Sequence, residues 1–230
     1  MRFADEDVGS SLVIFDCDGV LVDSEVIACR VDAECLTEAG FPVTTEEMAT
    51  RFVGTSAKSM LEVLAAQYQR QPSAGLNELR QERIMAAFAA ELRPIPGASD
   101  ALARLRAARC VASSSHLQRI VYSLELTGLR SFFADHLFSS TMVSHGKPAP
   151  DLFLYAADRM KVEPAQCVVI EDSPSGVKGA KAAGMRVLGF VGGSHCRAGQ
   201  AERLRAAGAE VVMRSMAELP DILPQCYTSL

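Results

Sequence analysis

From residue 98 onward the sequence alternates between short apolar runs and longer stretches with helical character, and this alternation most constrains the fold. The apolar runs are four or five residues long, as expected of buried strands. Such alternation is typical of strand–helix–strand units that build a parallel sheet. We predict strands at 110–113, 136–139, 167–170, 186–190 and 210–213. We predict helices at 98–108, 117–127, 150–160 and 175–183.

A further apolar run at residues 12–14 matches these strands in composition, but a long block with helical features separates it from them. Within that block, Thr44 and Glu47 have the spacing of a capping box at the start of a helix. We predict further helices at 56–68 and 76–90 and no strand in the block.

The predicted fold class is therefore α/β, a doubly wound, Rossmann-like parallel sheet with an inserted small α-helical cap domain. We expect a discontinuous core formed by residues 1–21 and 92–230, and a cap formed by residues 22–91.

Composition excludes several functional classes. A net charge of −5 and a pI near 5.4 argue against a nucleic-acid partner, and the cations form no basic cluster that would attract a membrane. No apolar segment is long enough to span a bilayer, and the acidic N-terminus lacks signal-peptide features. The seven cysteines are scattered without a C-x-x-C pair, so reduced thiols are expected. We expect a cytoplasmic protein that is a monomer or a weak homodimer.

Two carboxylates, Asp16 and Asp18, follow the first apolar run directly and precede Gly19. Side chains at i and i+2 of an extended segment project to the same side, so both can converge on one ligand. Because two nearby carboxylates repel each other, a hard divalent cation with oxygen ligands is the expected bridge.

Three other predicted strands also end in polar residues. Ser113 and Ser114 stand before a helix, where hydroxyls and backbone N–H groups form an anion cradle. Lys147 lies on a loop that prolines stiffen, and Glu171 and Asp172 follow four apolar residues. Paired acids after a buried strand are costly unless they face a cation. These residues together predict an acidic metal pocket with donors for a phosphate group.

The ordered set Asp16-x-Asp18-Gly19-Val20, Ser113, Lys147-Pro148 and Glu171-Asp172 resembles the four loop motifs of the haloacid dehalogenase-like (HAD) superfamily. The similarity is greatest to its sugar-phosphate phosphatases with a small helical cap, including 6-phosphogluconate phosphatases and β-phosphoglucomutase-like members. The resemblance covers essentially the whole chain.

The resemblance implies a Mg²⁺-dependent phosphatase acting through an aspartyl-phosphate. Asp16 would be the nucleophile, and Asp18 would protonate the leaving alcohol and then activate water. Mg²⁺ would be held by Asp16, Asp172 and the backbone carbonyl of Asp18, with Glu171 acting largely through the other ligands. Ser113 and Lys147, with Ser114 beside them, would bind the phosphoryl oxygens.

The expected partner is a small phosphorylated sugar or sugar acid. Since the core loops contact only the phosphate, discrimination is expected from the cap, with Arg51, Ser56 and Lys58 as candidate contacts.

Three alternatives stay open. A β-phosphoglucomutase-type phosphomutase shares the core, but residues 22–29 contain no histidine at the position where those enzymes carry one. A 2-haloacid dehalogenase needs neither metal nor a second acid, and a phospho-ligand binder would be favoured by loss of a motif acid. His195-Cys196 fails the cysteine-phosphatase spacing H-C-x₅-R, so we interpret it as part of a polar loop.

Overall fold

The structure is a computed structural model that describes residues 12–53, 55 and 57–227. Its six strands form one parallel sheet in the order β3-β2-β1-β4-β5-β6. The strands are β1 Leu12–Phe15, β2 Ala108–Ser113, β3 Leu137–Ser139, β4 Cys167–Glu171, β5 Arg186–Phe190 and β6 Val211–Met213. The predicted parallel α/β fold is confirmed.

Helices connect the strands and cover the sheet. The first four, which lie between β1 and β2, are α1 Glu25–Glu38, α2 Thr45–Arg51, α3 Ala57–Tyr68 and α4 Leu76–Glu91. The remainder are α5 Ala98–Arg104, α6 Leu117–Leu126, α7 Asp151–Met160, α8 Pro174–Ala182, α9 Gln200–Ala207 and α10 Leu219–Ile222. Among the described residues, no helix is both long and apolar enough to cross a lipid bilayer.

The central strand β1 is buried along its whole length because both faces of the sheet are covered. Val13 and Phe15 pack into the hydrophobic cluster on one face. Leu12 and Ile14 pack into the cluster on the other. This alternation follows from the two-residue period of a strand, and it explains why the run is continuously apolar.

The block between β1 and α5 is helical throughout, with no strand among its described residues. Its helices enclose their own hydrophobic cluster, which includes Leu36, Phe41 and Leu64. The predicted capping box is present: the Thr44 hydroxyl accepts from Glu47 N, and the Glu47 carboxylate accepts from Thr44 N. The division into a cap at residues 22–91 and a discontinuous core stays a prediction.

The predicted helix at 98–108 is wrong in its last four residues. Helix α5 ends at Arg104, and β2 begins at Ala108, two residues earlier than predicted. The side chain of Arg109 donates hydrogen bonds to the carbonyls of Leu102 and Leu105. These contacts satisfy carbonyl groups at the end of α5. Because Arg109 belongs to the following strand, it reaches these carbonyls only in the folded chain.

The sheet order places β1 between β2 and β4, at the point where successive connections leave in opposite directions. In open α/β sheets, a crevice forms outside the carboxyl ends of the strands at this point. The Asp16 N–H donates to the carbonyl of Ile170 at 3.0 Å, so the end of β1 is fixed against the end of β4.

Candidate active site

Lys147 joins two of the predicted acids across this crevice. Its Nζ lies 2.7 Å from Asp16 Oδ1 and 2.6 Å from Glu171 Oε1, and it also donates to the Ala112 carbonyl at 2.9 Å. All three side chains in this cluster are buried. Burial disfavours the lysine cation, but the two carboxylates outweigh it and raise the pKa of Lys147. Burial raises the pKa of Asp16, although Lys147 opposes this.

Glu171 is held from both sides. While Oε1 accepts from Lys147, Oε2 accepts hydrogen bonds from the backbone N–H and the hydroxyl of Ser173, each at 2.9 Å. Gly176 leaves room for this carboxylate, since a Cβ there would lie 1.7 Å from Oε1. Both oxygens of Glu171 are therefore engaged, and the side chain orients Lys147.

The acids Asp16, Glu171 and Asp172 bring carboxylate oxygens within 4.8 Å of one another. Asp172 Oδ2 is buried and lies 2.9 Å from His195 Nε2, an ion-pair distance. Buried carboxylates this close together repel one another, so a cation among them would be favoured. This donor set of carboxylate oxygens fits a hard divalent cation such as Mg²⁺.

The carboxylate of Asp18 points away from this cluster and accepts from three donors. Ser24 Oγ and Arg119 Nη2 lie 2.6 and 3.0 Å from Oδ1, and Ser115 Oγ lies 2.7 Å from Oδ2. Burial alone would raise the pKa of Asp18, but Arg119 and the hydroxyl donors lower it. Asp18 is therefore held as a carboxylate in this arrangement.

The predicted phosphate cradle lies at the end of β2. Ser113 is buried and its Oγ accepts from the Ser115 N–H, whereas Ser114 is exposed. Side chains at the end of β3 anchor the same turn, because Ser139 donates to the Ser115 carbonyl and Ser140 donates to the Ser114 carbonyl. Ser113 and Ser114 both line the cavity that also contains Asp16 and Lys147.

The polar loop predicted at His195 lies between β5 and α9, but the His195 side chain itself is buried. His195 is 6% exposed and faces Asp172, which raises the pKa of His195 to about 11 despite burial, and Cys196 contributes. Gln200 donates to the Asp172 carbonyl at 2.6 Å, so the loop is fixed to the acid from two sides. Gly19, at φ +78, permits the close approach, since a Cβ there would meet both side chains.

A cavity of about 620 Å³ extends from these loops to the helices α1, α3 and α4. Lys58, at the start of α3, lines it. Arg51 does not line it; this side chain is exposed and donates to Gln67 Oε1 at 2.7 Å. Ser56 lies outside the described residues. The structure therefore brings Lys58, but not Arg51, to the cavity.

Comparison with known proteins identifies the family. The sequence profile of the haloacid dehalogenase-like hydrolases matches residues 11–184, which is most of the chain. The chain belongs to this family. It is a HAD-like enzyme, and the curated relatives with which it aligns include phosphatases.

The 6-phosphogluconate phosphatase of Escherichia coli K12 is 31% identical over 188 residues, which cover 80% of this chain and 83% of that protein. A HAD-like protein of unknown function from Agrobacterium tumefaciens is 42% identical with a TM-score of 0.82, covering 93% of this chain and 97% of that one. A HAD family hydrolase from Deinococcus radiodurans, crystallised with phosphate and sodium, is 32% identical with a TM-score of 0.78, covering 97% and 100%.

Sequence reasoning missed several side chains of this HAD-like site, above all Arg119, Ser115 and His195. Arg119 carried a usable signal, because it stands in the first turn of α6, where the helix dipole disfavours a cation. A cation there suggests a specific acidic partner, which proves to be Asp18. His195 carried no such signal, since only the packing of the loop against Asp172 reveals its role.

Proposed function

We propose that this enzyme is a Mg²⁺-dependent phosphatase that hydrolyses a small phosphorylated metabolite of the sugar-phosphate class through an aspartyl-phosphate on Asp16. One observation carries the proposal. Lys147 Nζ lies 2.7 Å from Asp16 Oδ1, and Asp16 clusters with the buried acids Glu171 and Asp172 at the end of the central strand. A nucleophilic carboxylate, the ammonium group of Lys147 and a candidate metal site therefore lie next to one another.

In the first step, a carboxylate oxygen of Asp16 attacks phosphorus, and the bond from phosphorus to the leaving alcohol oxygen breaks. Lys147 offsets negative charge on the phosphoryl oxygens and fixes the orientation of Asp16. Ser113, with Ser114 beside it, offers hydroxyl and backbone donors to the same oxygens.

Asp18 transfers the protons. It donates one to the leaving oxygen in the first step, and in the second it accepts one from the water that attacks the aspartyl-phosphate. The donors that lower the pKa of Asp18 favour its carboxylate form, which suits the second role. The first step therefore draws on the minor protonated form.

Mg²⁺ would be held by Asp16, Asp172 and the backbone carbonyl of Asp18. Glu171 would act through Lys147, since both of its oxygens are engaged. When bound, the cation offsets the charge of the phosphate and helps to orient it. Without the cation, the clustered acids would repel a dianionic phosphate.

We assign substrate selection to the predicted cap at residues 22–91, whose helices line the cavity above the phosphate end. Lys58 is the candidate contact that the cavity supports; Arg51 lies off the cavity and stays a prediction only. The names of curated relatives, such as 6-phosphogluconate phosphatase, support a sugar-phosphate class. A cytoplasmic location and a monomer or weak homodimer also stay predictions, and light scattering measures the second.

The alternatives have weaker support. For a phosphomutase, the cavity-lining residues of α1 are Glu25, Ala28, Cys29 and Asp32, none of which is a histidine. In a dehalogenase, the clustered acids and the hydrogen-bond donors around Asp18 would have no role in the reaction. A non-catalytic binder would not need a nucleophilic carboxylate held by a lysine.

The test is phosphate release by the purified protein from a panel of phosphorylated metabolites and from p-nitrophenyl phosphate, with Mg²⁺ and with excess chelator. We expect turnover only with the metal, and none from Asp16→Asn, whose amide is nearly isosteric. Asp158→Asn, on the exposed face of α7, is the matched control and should keep full activity. Normal turnover by folded Asp16→Asn, or by the chelated enzyme, would contradict the mechanism.

A further inference from the structure

His195 is a buried residue that the proposed mechanism does not use. Its Nε2 lies 2.9 Å from Asp172 Oδ2 and 3.5 Å from Cys196 Sγ, so the acid is the closer partner. Asp172 lines the cavity, whereas His195 does not. The imidazole therefore contacts Asp172 from outside the cavity, where it can act on this acid but does not touch the substrate.

Two glycines hold the imidazole ring beside the carboxylate. A Cβ on Gly193 would lie 2.7 Å from His195 Nδ1 and 2.9 Å from the Gly19 carbonyl oxygen. A Cβ on Gly19 would lie 2.8 Å from His195 Cε1 and 2.0 Å from Asp172 Oδ2. Because close-packed atoms do not approach so closely, a side chain at either position would push the ring or the carboxylate away. The narrow slot between the glycines thus fixes the ring of His195.

The loop that carries His195 is anchored on both sides of the ring. Ser194 donates to Asp23 Oδ1 from its backbone N–H at 3.0 Å and from its hydroxyl at 2.8 Å. Gln200, five residues after His195, donates to the backbone carbonyl of Asp172 at 2.6 Å. These anchors do not involve the Asp172 side chain, so the loop positions the imidazole independently of the carboxylate that it contacts.

The Asp172 carboxylate needs such a contact because of its neighbours. One of its oxygens lies within 4.8 Å of carboxylate oxygens of Asp16 and Glu171. Those two acids share Lys147, at 2.7 and 2.6 Å, whereas the ion pair of Asp172 among the described residues is with His195. Like charges repel, so an Asp172 side chain without this partner would turn away from the other two acids. With Oδ2 held by His195, Oδ1 of the same carboxylate is left for a cation.

We propose that His195 is a positioning residue of the metal site, which holds Asp172 Oδ2 so that Oδ1 is directed at the cation, and thereby raises the affinity for Mg²⁺. The inference rests on the metal site of the proposed function and adds a residue to it. A partner that orients a metal ligand before the cation arrives typically contributes about 10–100-fold to metal affinity. Nε2 can donate to the carboxylate whether or not Nδ1 also carries a proton.

Direct metal binding tests this assignment without any turnover. Mn²⁺ prefers the same oxygen ligands as Mg²⁺, and the electron paramagnetic resonance signal of free Mn²⁺ gives the Kd of the phosphate-free protein. In His195→Leu, which removes the donor but keeps a side chain of similar size, we expect the Kd to rise at least about tenfold. His136→Leu, which replaces an exposed histidine just before β3, is the matched control and should bind Mn²⁺ as the wild type does.

Two amide variants separate the reach of the side chain from its polarity. The glutamine amide nitrogen can occupy the place of Nε2, so His195→Gln should keep the Kd within about threefold of the wild type. The asparagine amide ends near the place of Nδ1, so His195→Asn should lose as much affinity as His195→Leu. This pair decides the question if the leucine variant does not fold. Equal Kd values for the two amide variants would overturn the inference.

A folded His195→Leu variant that binds Mn²⁺ as tightly as the wild type would also overturn the inference. If that variant is less stable in urea with chelator present but keeps the wild-type Kd, the role of His195 is structural only. Tighter binding by the variant would show that His195 competes with the metal, which likewise refutes the assignment.

The same measurements separate this inference from the proposed function. If the wild type binds Mn²⁺ and His195→Leu binds it more weakly, but no phosphorylated ester is hydrolysed, the proposed function fails and the assignment of His195 stands. If the wild type binds no Mn²⁺, the metal site is refuted, and the assignment of His195 is refuted with it.

Discussion

Replacing Gly176 with alanine should destabilise the folded protein, although the same change inside a helix usually stabilises it. Gly→Ala inside a helix normally stabilises a protein by roughly 0.5–1 kcal/mol, because glycine loses more conformational entropy on folding. Here the new Cβ would lie 1.7 Å from Glu171 Oε1 and 1.9 Å from its Cδ, so the carboxylate must move by more than an ångström. That movement separates it from Lys147 and Ser173, whose donors lie 2.6–2.9 Å away.

Glu171 is 0% exposed, and breaking a buried ion pair costs about 3–5 kcal/mol. After subtraction of the helix gain, we expect Gly176→Ala to lower the free energy of unfolding by about 2–4 kcal/mol. Urea unfolding followed by circular dichroism measures it, with Gly146→Ala as control, because a Cβ there meets its nearest atom at an ordinary 3.5 Å. A Gly176→Ala protein as stable as the wild type would refute the argument that Glu171 is fixed in place.

Three further predictions concern stability. Arg80→Met should cost about 3–5 kcal/mol in urea unfolding because it leaves Asp32 buried and unpaired. Arg83→Met, which breaks the exposed pair with Glu38 between the same two helices, should change little; similar losses would contradict this. Interactions in the folded protein lower the pKa of Asp18. The ion pair of Asp18 therefore contributes its full stability above about pH 3.9, the pKa of an aspartate in the unfolded chain, and loses it as the pH falls through the folded-state pKa. Arg119→Met should therefore be less stable than wild type at pH 7, and the difference should narrow at pH 3; a constant difference would assign the loss to packing alone. Thr44→Ala should cost about 1 kcal/mol through loss of the α2 cap, measured against Thr50→Ala, and equal losses would argue against the capping box.

The sequence was most informative where local chemistry decides structure. Apolar runs located all six strands, and polar residues after four of these runs located the candidate site, because burial of a strand on both faces requires continuous apolar sequence. The capping box of α2 was equally predictable from the sequence, since both of its hydrogen bonds are made within four residues. The end of α5 was misjudged because Arg109, which caps it from β2, contacts it only in the folded chain.

The sequence by itself determined which residues meet at the carboxyl edge of the sheet: Asp16, Ser113, Lys147 and the acids Glu171 and Asp172 at the end of β4. Parallel strands bring their carboxyl ends to one edge, so position along the chain was sufficient. Only the tertiary structure decided how these residues are held and what surrounds the leaving group. The pairs Arg119–Asp18, His195–Asp172 and Arg80–Asp32 each join separate elements. Their partners are chosen by packing and by the cost of burying an unpaired charge, which no local pattern records.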